Sequence, residues 1–130
     1  MADHIGNLAH LNDRDTTLVY TSRGSQSDLA LIKERMGWDI PWYTMLPDEG
    51  SAFDVDFDVD KWHGTNAFIR WQVDGEDRVF RTYFINNRGD EAFVNTVNFL
   101  DMTALRRQDS WEDSPPGYTQ SAPYARWSWH

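Results

Sequence analysis

The chain has 130 residues, 40% of them hydrophobic, with seven Trp, seven Phe and five Tyr, a net charge of −9 and no cysteine. That is enough apolar and aromatic mass for one domain with an aromatic-heavy core, and it argues against disorder along the whole length. Lys and Arg scattered among more numerous acids argue against binding nucleic acid or an anionic membrane, and the missing cysteines exclude disulfides, thiolate metal sites and thiol nucleophiles.

The opening "MADHIGNLAHLNDRDTTLVY" lacks the basic start and continuous apolar core of a signal peptide, and no later run approaches the length of a membrane span. A cytoplasmic protein is expected. Within "DHIGNLAHLND", Ile5, Leu8 and Leu11 recur at helical spacing, and Asn12 and Asp13 close that helix. "TTLVYTS" (16–22) is β-branched and reads as a buried strand. Ser25 or Ser27 then caps a helix with Leu29, Ile32 and Met36 on one face and Gly37 just past its end.

"WDIPWYTML" (38–46) contains Pro41, so a strand there is short or at an edge. "AFIRWQV" (67–73) and "RVFRTYF" (78–84) flank Asp74-Gly75-Glu76-Asp77, a hairpin pattern. Ile69, Trp71 and Val73 share one strand face, and Phe80, Thr82 and Phe84 share a face of the other. "DEAFVNTVNFLDM" (90–102) returns to helical spacing through Phe93, Val97 and Leu100. From Gln108 on, prolines, serines and aromatics without a period read as a tail, extended and docked on the body. The predicted domains are therefore a body over 1–107 and a Pro/Ser/aromatic tail over 108–130.

Candidate chemistry is sparse. "FDVDFDVD" (53–60) places Asp54, Asp56 and Asp58 like the start of a calcium loop, but Val59 stands where Gly makes the turn and Thr65 where the bidentate Glu belongs. Its alternation suits a strand with one wet face, and Phe53 and Phe57 equally suit one helix face. Histidines 4, 10, 63 and 130 have no metal spacing and read as solvated or hydrogen-bonded. Asp90 of "RGD" reads as a helix N-cap. There is no G-x-S-x-G elbow and no phosphate-binding glycine loop. No catalytic residue, metal or cofactor is assigned. Trp38, Trp42 and Tyr43 around Pro41 either pack the core or line an apolar ligand pocket.

The stretches "RDTTLV", "RMGWDIPWYT", "HGTNAFIRW", "RVFRTYF" and "RRQDSWEDSPPGYTQ" resemble the thioredoxin-like family catalogued as domain of unknown function 899. The resemblance runs nearly end to end and covers about the last two-thirds of a typical member. It implies an α/β fold, a truncated thioredoxin-like sandwich with a small mixed sheet, a C-terminal hairpin, flanking helices and an extended aromatic tail. It also implies a turn of helix over 52–57 with Phe53 and Phe57 inward, and so no metal there. Members are predicted dithiol-disulfide oxidoreductases with a Cys-x-x-Cys upstream of the segment matching "IGNLAHL". This chain has neither those cysteines nor the strand before them. Asn66 stands at the position of the thioredoxin cis-proline, and the active-site rim corresponds to Ser22, Arg23, Gly64, Thr65 and Asn66.

Thiol-disulfide exchange needs a thiolate, so the chain by itself cannot carry out the family reaction. The first functional expectation is a non-catalytic thioredoxin-like domain binding a protein partner or a small apolar ligand through Trp38, Pro41, Trp42, Tyr43, Ser22, Arg23, Thr65 and Asn66. The alternative is oxidoreductase chemistry that requires upstream cysteine-bearing sequence or a thiol-bearing partner. The missing strand would leave unpaired edges, repaired by closure of the neighbouring strands, insertion of the tail, or a homodimer.

Overall fold

The structure, a computed structural model, describes residues 1–45, 63–126 and 129. It is a mixed α/β chain that divides into two units, Met1–Pro47 with Asn95–His130, and Asp48–Val94. The expectations for 52–57 and for the aspartates of 53–60 lie outside the described residues.

In the first unit the predicted N-terminal helix is split. A 3-10 turn covers Ala2–His4, Ile5 is extended, and α1 (Ala9–Asn12) begins only after Asn7, whose side chain accepts from the Ala9 amide at 2.9 Å. Gly6 and Asn7 explain the break: glycine costs helix entropy, and an Asn side chain competes for the backbone donor. Strand β1 is three residues, Tyr20–Ser22, not the seven expected, and Val19 is exposed. Thr16 closes the end of α1 instead, donating its amide to Leu11 at 3.1 Å. Helix α2 (Gln26–Met36) forms as its caps predict. Ser25 accepts from the Asp28 amide at 3.2 Å, Gly37 has φ 65°, and Leu29 and Met36 are buried.

Strand β2 (Trp42–Thr44) follows Pro41 directly and lies parallel to β1, with Tyr20 opposite Trp42 and Ser22 opposite Thr44. Proline has no amide to donate, which stops the ladder at the N-terminal end of β2. The Pro41 carbonyl still accepts from Tyr20 at 2.8 Å, and the Met45 amide donates to Ser22 at 2.7 Å. Helix α3 (Asn95–Asp101) buries Val97, but Phe99 and Leu100 are exposed. Among the described residues of this unit, Ala2, Leu29, Met36, Ile40 and Val97 are the buried apolar ones. The tail is not extended throughout. Residues 108–121 close a loop through an Asp109–Ser121 bridge, with Ser110 and Ser121 amides donating to Ser121 and Gln108 carbonyls at 2.8 and 3.0 Å. Beyond it, the Arg35 guanidinium of α2 lies over the Trp129 ring, 4.9 Å from its centre.

In the second unit β3 (Gly64–Val73) and β4 (Glu76–Asn86) form a long antiparallel hairpin. Its turn is two residues, Asp74 at φ 54° and Gly75 at φ 81°, the left-handed pair that matches strand twist. A bulge at Thr82 shifts the register between Ala67 and Phe68. The expectation that Phe80, Thr82 and Phe84 share a face therefore fails. Phe80 lies beside Ile69, whereas Phe84 is turned to the face of Arg81, whose guanidinium sits 5.4 Å from its ring. The helix expected over 90–102 is also interrupted: a 3-10 helix spans Asn87–Phe93, and Val94, extended at φ −106° and ψ 90°, separates it from α3. Among the described residues no helix is long and apolar enough to cross a membrane.

Candidate functional site

Trp38 and Pro41 stand on the wall of a cleft of about 920 Å³ in the first unit. The N-terminal segment supplies the facing wall through Ile5 and Leu8, and Met36 and Ile40 continue the apolar surface. Trp38 is held in place by its indole N–H, which donates to the Asp3 carboxylate at 2.6 Å. With Asp3, Asp39 and Lys33 give the lining two acidic groups and one basic group. His4 adjoins this region with its Nε2 buried and without a hydrogen-bond partner. Burial lowers its pKa, the N-terminal charge lowers it further, and Asp3 opposes both. The expectation of solvated or hydrogen-bonded histidines does not hold for that nitrogen.

The other predicted residues are distributed differently. Trp42 supports the cleft without being on its wall, packing edge-on against Tyr20 at 5.2 Å and tilted against Trp38 at 5.8 Å. Its indole N–H donates to the Ser22 hydroxyl at 3.1 Å, so Ser22 positions Trp42. Tyr43 alternates to the opposite side of β2 and is 57% exposed. Arg23 is exposed just after β1. Thr65 and Asn66 belong to the second unit. Asn66 has a buried Oδ1 without a hydrogen-bond partner.

Thr65 belongs to a cluster that the sequence reading missed. His63 and Thr65 alternate onto the same side at the start of β3, and the 3-10 helix after β4 brings Asp90 there. Asp90 is 1% exposed, with its Oδ2 at 3.3 Å from His63 Nε2 and no well-formed hydrogen bond to either oxygen. It lies inside the 3-10 helix and is not an N-cap; Asn86 holds that position without a side-chain bond. Burial pushes the Asp90 pKa up, opposed by His63 and by the Thr65 hydroxyl. The only legible hint was the two-residue spacing of His63 and Thr65. Among the described residues no cluster of three or more His, Asp or Glu could hold a metal.

The raised Asp90 pKa has a definite sign. The folded state holds this proton more tightly than the unfolded chain does. The stability it contributes is therefore complete below the ordinary aspartate value and is lost as pH rises through the folded value. Asp90→Asn cannot ionise, so it is expected to raise Tm at about pH 7 and change it little at about pH 3. Thermal melts at the two pH values check this, and a variant effect of the same size at both would count against it.

The sequence profile of the family described as bacterial protein of unknown function (DUF899) matches residues 1–130. The chain belongs to that family. No curated protein and no solved structure matches it. Membership covers both units, and with them the cleft beside Trp38 and the cluster around Asp90. The family description assigns neither place an activity.

Proposed function

We propose that the chain is a thioredoxin-like binding domain without sulfur chemistry of its own, and that its cleft beside Trp38 takes a small apolar ligand. The observation that carries this reading is the cleft itself, about 920 Å³, in which Ile5, Leu8, Met36, Trp38, Ile40 and Pro41 form an apolar strip beside the polar Asp3, Asn7, Asn12, Lys33 and Asp39. That volume is in the range of small-molecule sites, and an indole held by Asp3 presents a rigid apolar surface to a ligand. The thioredoxin-like assignment is supported by the element order: parallel strands joined through a helix, then an antiparallel hairpin, then a helix. The 130 residues contain no thiol, so disulfide exchange needs a sulfur from elsewhere.

The test is a titration with anilinonaphthalene sulfonate and a panel of small apolar compounds, followed by Trp fluorescence and amide chemical shifts. Binding is expected to move the amides of Ile5, Leu8, Met36 and Trp38, and Trp38→Ala is expected to weaken it about tenfold, an effect of roughly 1.4 kcal/mol. Insulin reduction by the protein alone is expected to be blank. A flat response at those amides across the panel removes the ligand reading, and turnover of insulin removes the non-catalytic one.

A further inference from the structure

The cleft beside Trp38 has a charge pattern as well as an apolar strip. Asp3 and Asp39 stand against one basic residue, Lys33, in a chain whose net charge is −9. A field of that sign raises the local concentration of cations and lowers that of anions.

Trp38 offers a cation a surface. Trp42 lies tilted by 30° against it at 5.8 Å and is not on the cleft wall, so it covers one face of the Trp38 ring and leaves the other to the cleft. Indole is the side chain whose face attracts a cation best. The hydrogen bond to Asp3 strengthens that attraction, because a carboxylate draws the N–H proton outward and leaves the ring richer in electrons. Trp129 has the Arg35 guanidinium over its ring. Among the described residues no cation lies over Trp38, although Lys33 lines the same cleft. The carboxylate of the next residue, Asp39, makes no ion pair or hydrogen bond among the described residues.

We propose that the ligand of this cleft is an organic ammonium ion with an apolar arm. The ammonium sits over the Trp38 ring and pairs with the Asp39 carboxylate, while the arm lies along Ile5, Leu8 and Ile40. The ligand class rests on the reading of the cleft as a small-molecule site. Side-chain length decides the sign of the charge. Lys33 can keep its ammonium in water at the end of a flexible stem, whereas the short side chain of Asp39 holds its charge close to the wall. A carboxylate ligand would have Lys33 alone to attract it and two acidic groups to repel it.

Titration of the full chain with phenethylamine, phenethyl alcohol and hydrocinnamate at about pH 7 compares a cation, a neutral analogue and an anion of similar size. The amide shifts of Ile5, Leu8, Met36 and Trp38 report binding in the cleft. The amine is expected to bind at least about tenfold more tightly than the alcohol, with hydrocinnamate the weakest. Added salt should weaken the amine and leave the alcohol unchanged. Asp39→Asn should cost the amine about fivefold and Lys33→Gln should improve it about twofold, with the alcohol indifferent to both. Trp38→Leu, apolar but without a ring face, should abolish the preference for the amine. Asp39 and Lys33 are outside the buried core, so their variants decide the matter even if Trp38→Leu does not fold. Equal binding of amine and alcohol at these amides overturns the ammonium and leaves an apolar-ligand site. Tightest binding by hydrocinnamate, or a preference for the amine that ignores the changes at 38 and 39, also overturns it. No movement of these amides with any of the three compounds overturns the cleft as a ligand site together with its ligand class.

Discussion

Replacing Trp42 by alanine is expected to cost about 3 kcal/mol or more, the range for deleting a large aromatic from a packed site. The residue joins three things at once. It packs edge-on against Tyr20 across the β1–β2 ladder, it tilts against Trp38, and its N–H satisfies the Ser22 hydroxyl. Its removal therefore opens a cavity behind the cleft wall and loosens Trp38 as well. Trp42→Phe keeps an aromatic ring but loses the N–H donor and the volume of the second ring, so roughly 1–2 kcal/mol is expected. Tyr43→Ala, on the exposed side of the same strand, should stay within about 0.5 kcal/mol. Urea denaturation of the three variants checks the order. If Tyr43→Ala proved as damaging as Trp42→Ala, the packing described for β2 would be wrong.

Gly89→Ala is expected to cost about 1–3 kcal/mol, the usual range for forcing extra volume into a filled site. A Cβ built at Gly89 would fall 2.6 Å from Ile85 Cγ1 and 2.8 Å from Ile85 Cδ1. The nearer of these atoms is on a β-branched side chain in β4, so it cannot swing aside freely. Glycine here allows the 3-10 helix to approach the strand closely, and that approach buries the adjacent Asp90. A double-mutant cycle separates this overlap from any general fragility. In an Ile85→Ala background, where both atoms are gone, Gly89→Ala should cost markedly less than in the native chain. Equal costs in the two backgrounds would show that the contact with Ile85 is not what excludes a side chain at 89.

These predictions depend on features of unequal legibility in the sequence. Helix α2 could be read almost to the residue, because Ser25 and Gly37 act on backbone groups within one turn of themselves. The hairpin was legible for the same reason, since Asp74 and Gly75 adopt the left-handed conformation that the turn requires, although Glu76 and Asp77, read as part of the turn, already belong to β4. The bulge was not. Nothing in "RVFRTYF" marks Thr82 as an extra residue, yet it decides that Phe80 and Phe84 lie on opposite faces. The helical period of 90–102 was real at Val97 but misleading earlier. Extended Val94 interrupts it, and the segment before it winds as a 3-10 helix across the end of the hairpin.

The candidate site was half visible. The aromatic stretch around Pro41 pointed to Trp38 and Pro41, together with Trp42 and Tyr43, which are not on the wall, but the residues Ile5 and Leu8 of the lining come from a segment about thirty residues earlier that packs there only after folding. His63 and Asp90 carry no motif, and their pairing follows from strand β4 returning the chain to the start of β3.

By itself the sequence determined the missing thiol chemistry, the limits of α2 and the position of the hairpin turn, because side-chain inventory and local backbone preference act without reference to distant residues. Tertiary structure alone decided which aromatics wall the cleft, which face each residue of β4 takes beyond the bulge, and that Asp90 is buried beside His63. Those outcomes depend on groups far apart in the chain excluding water together, and no short stretch encodes that.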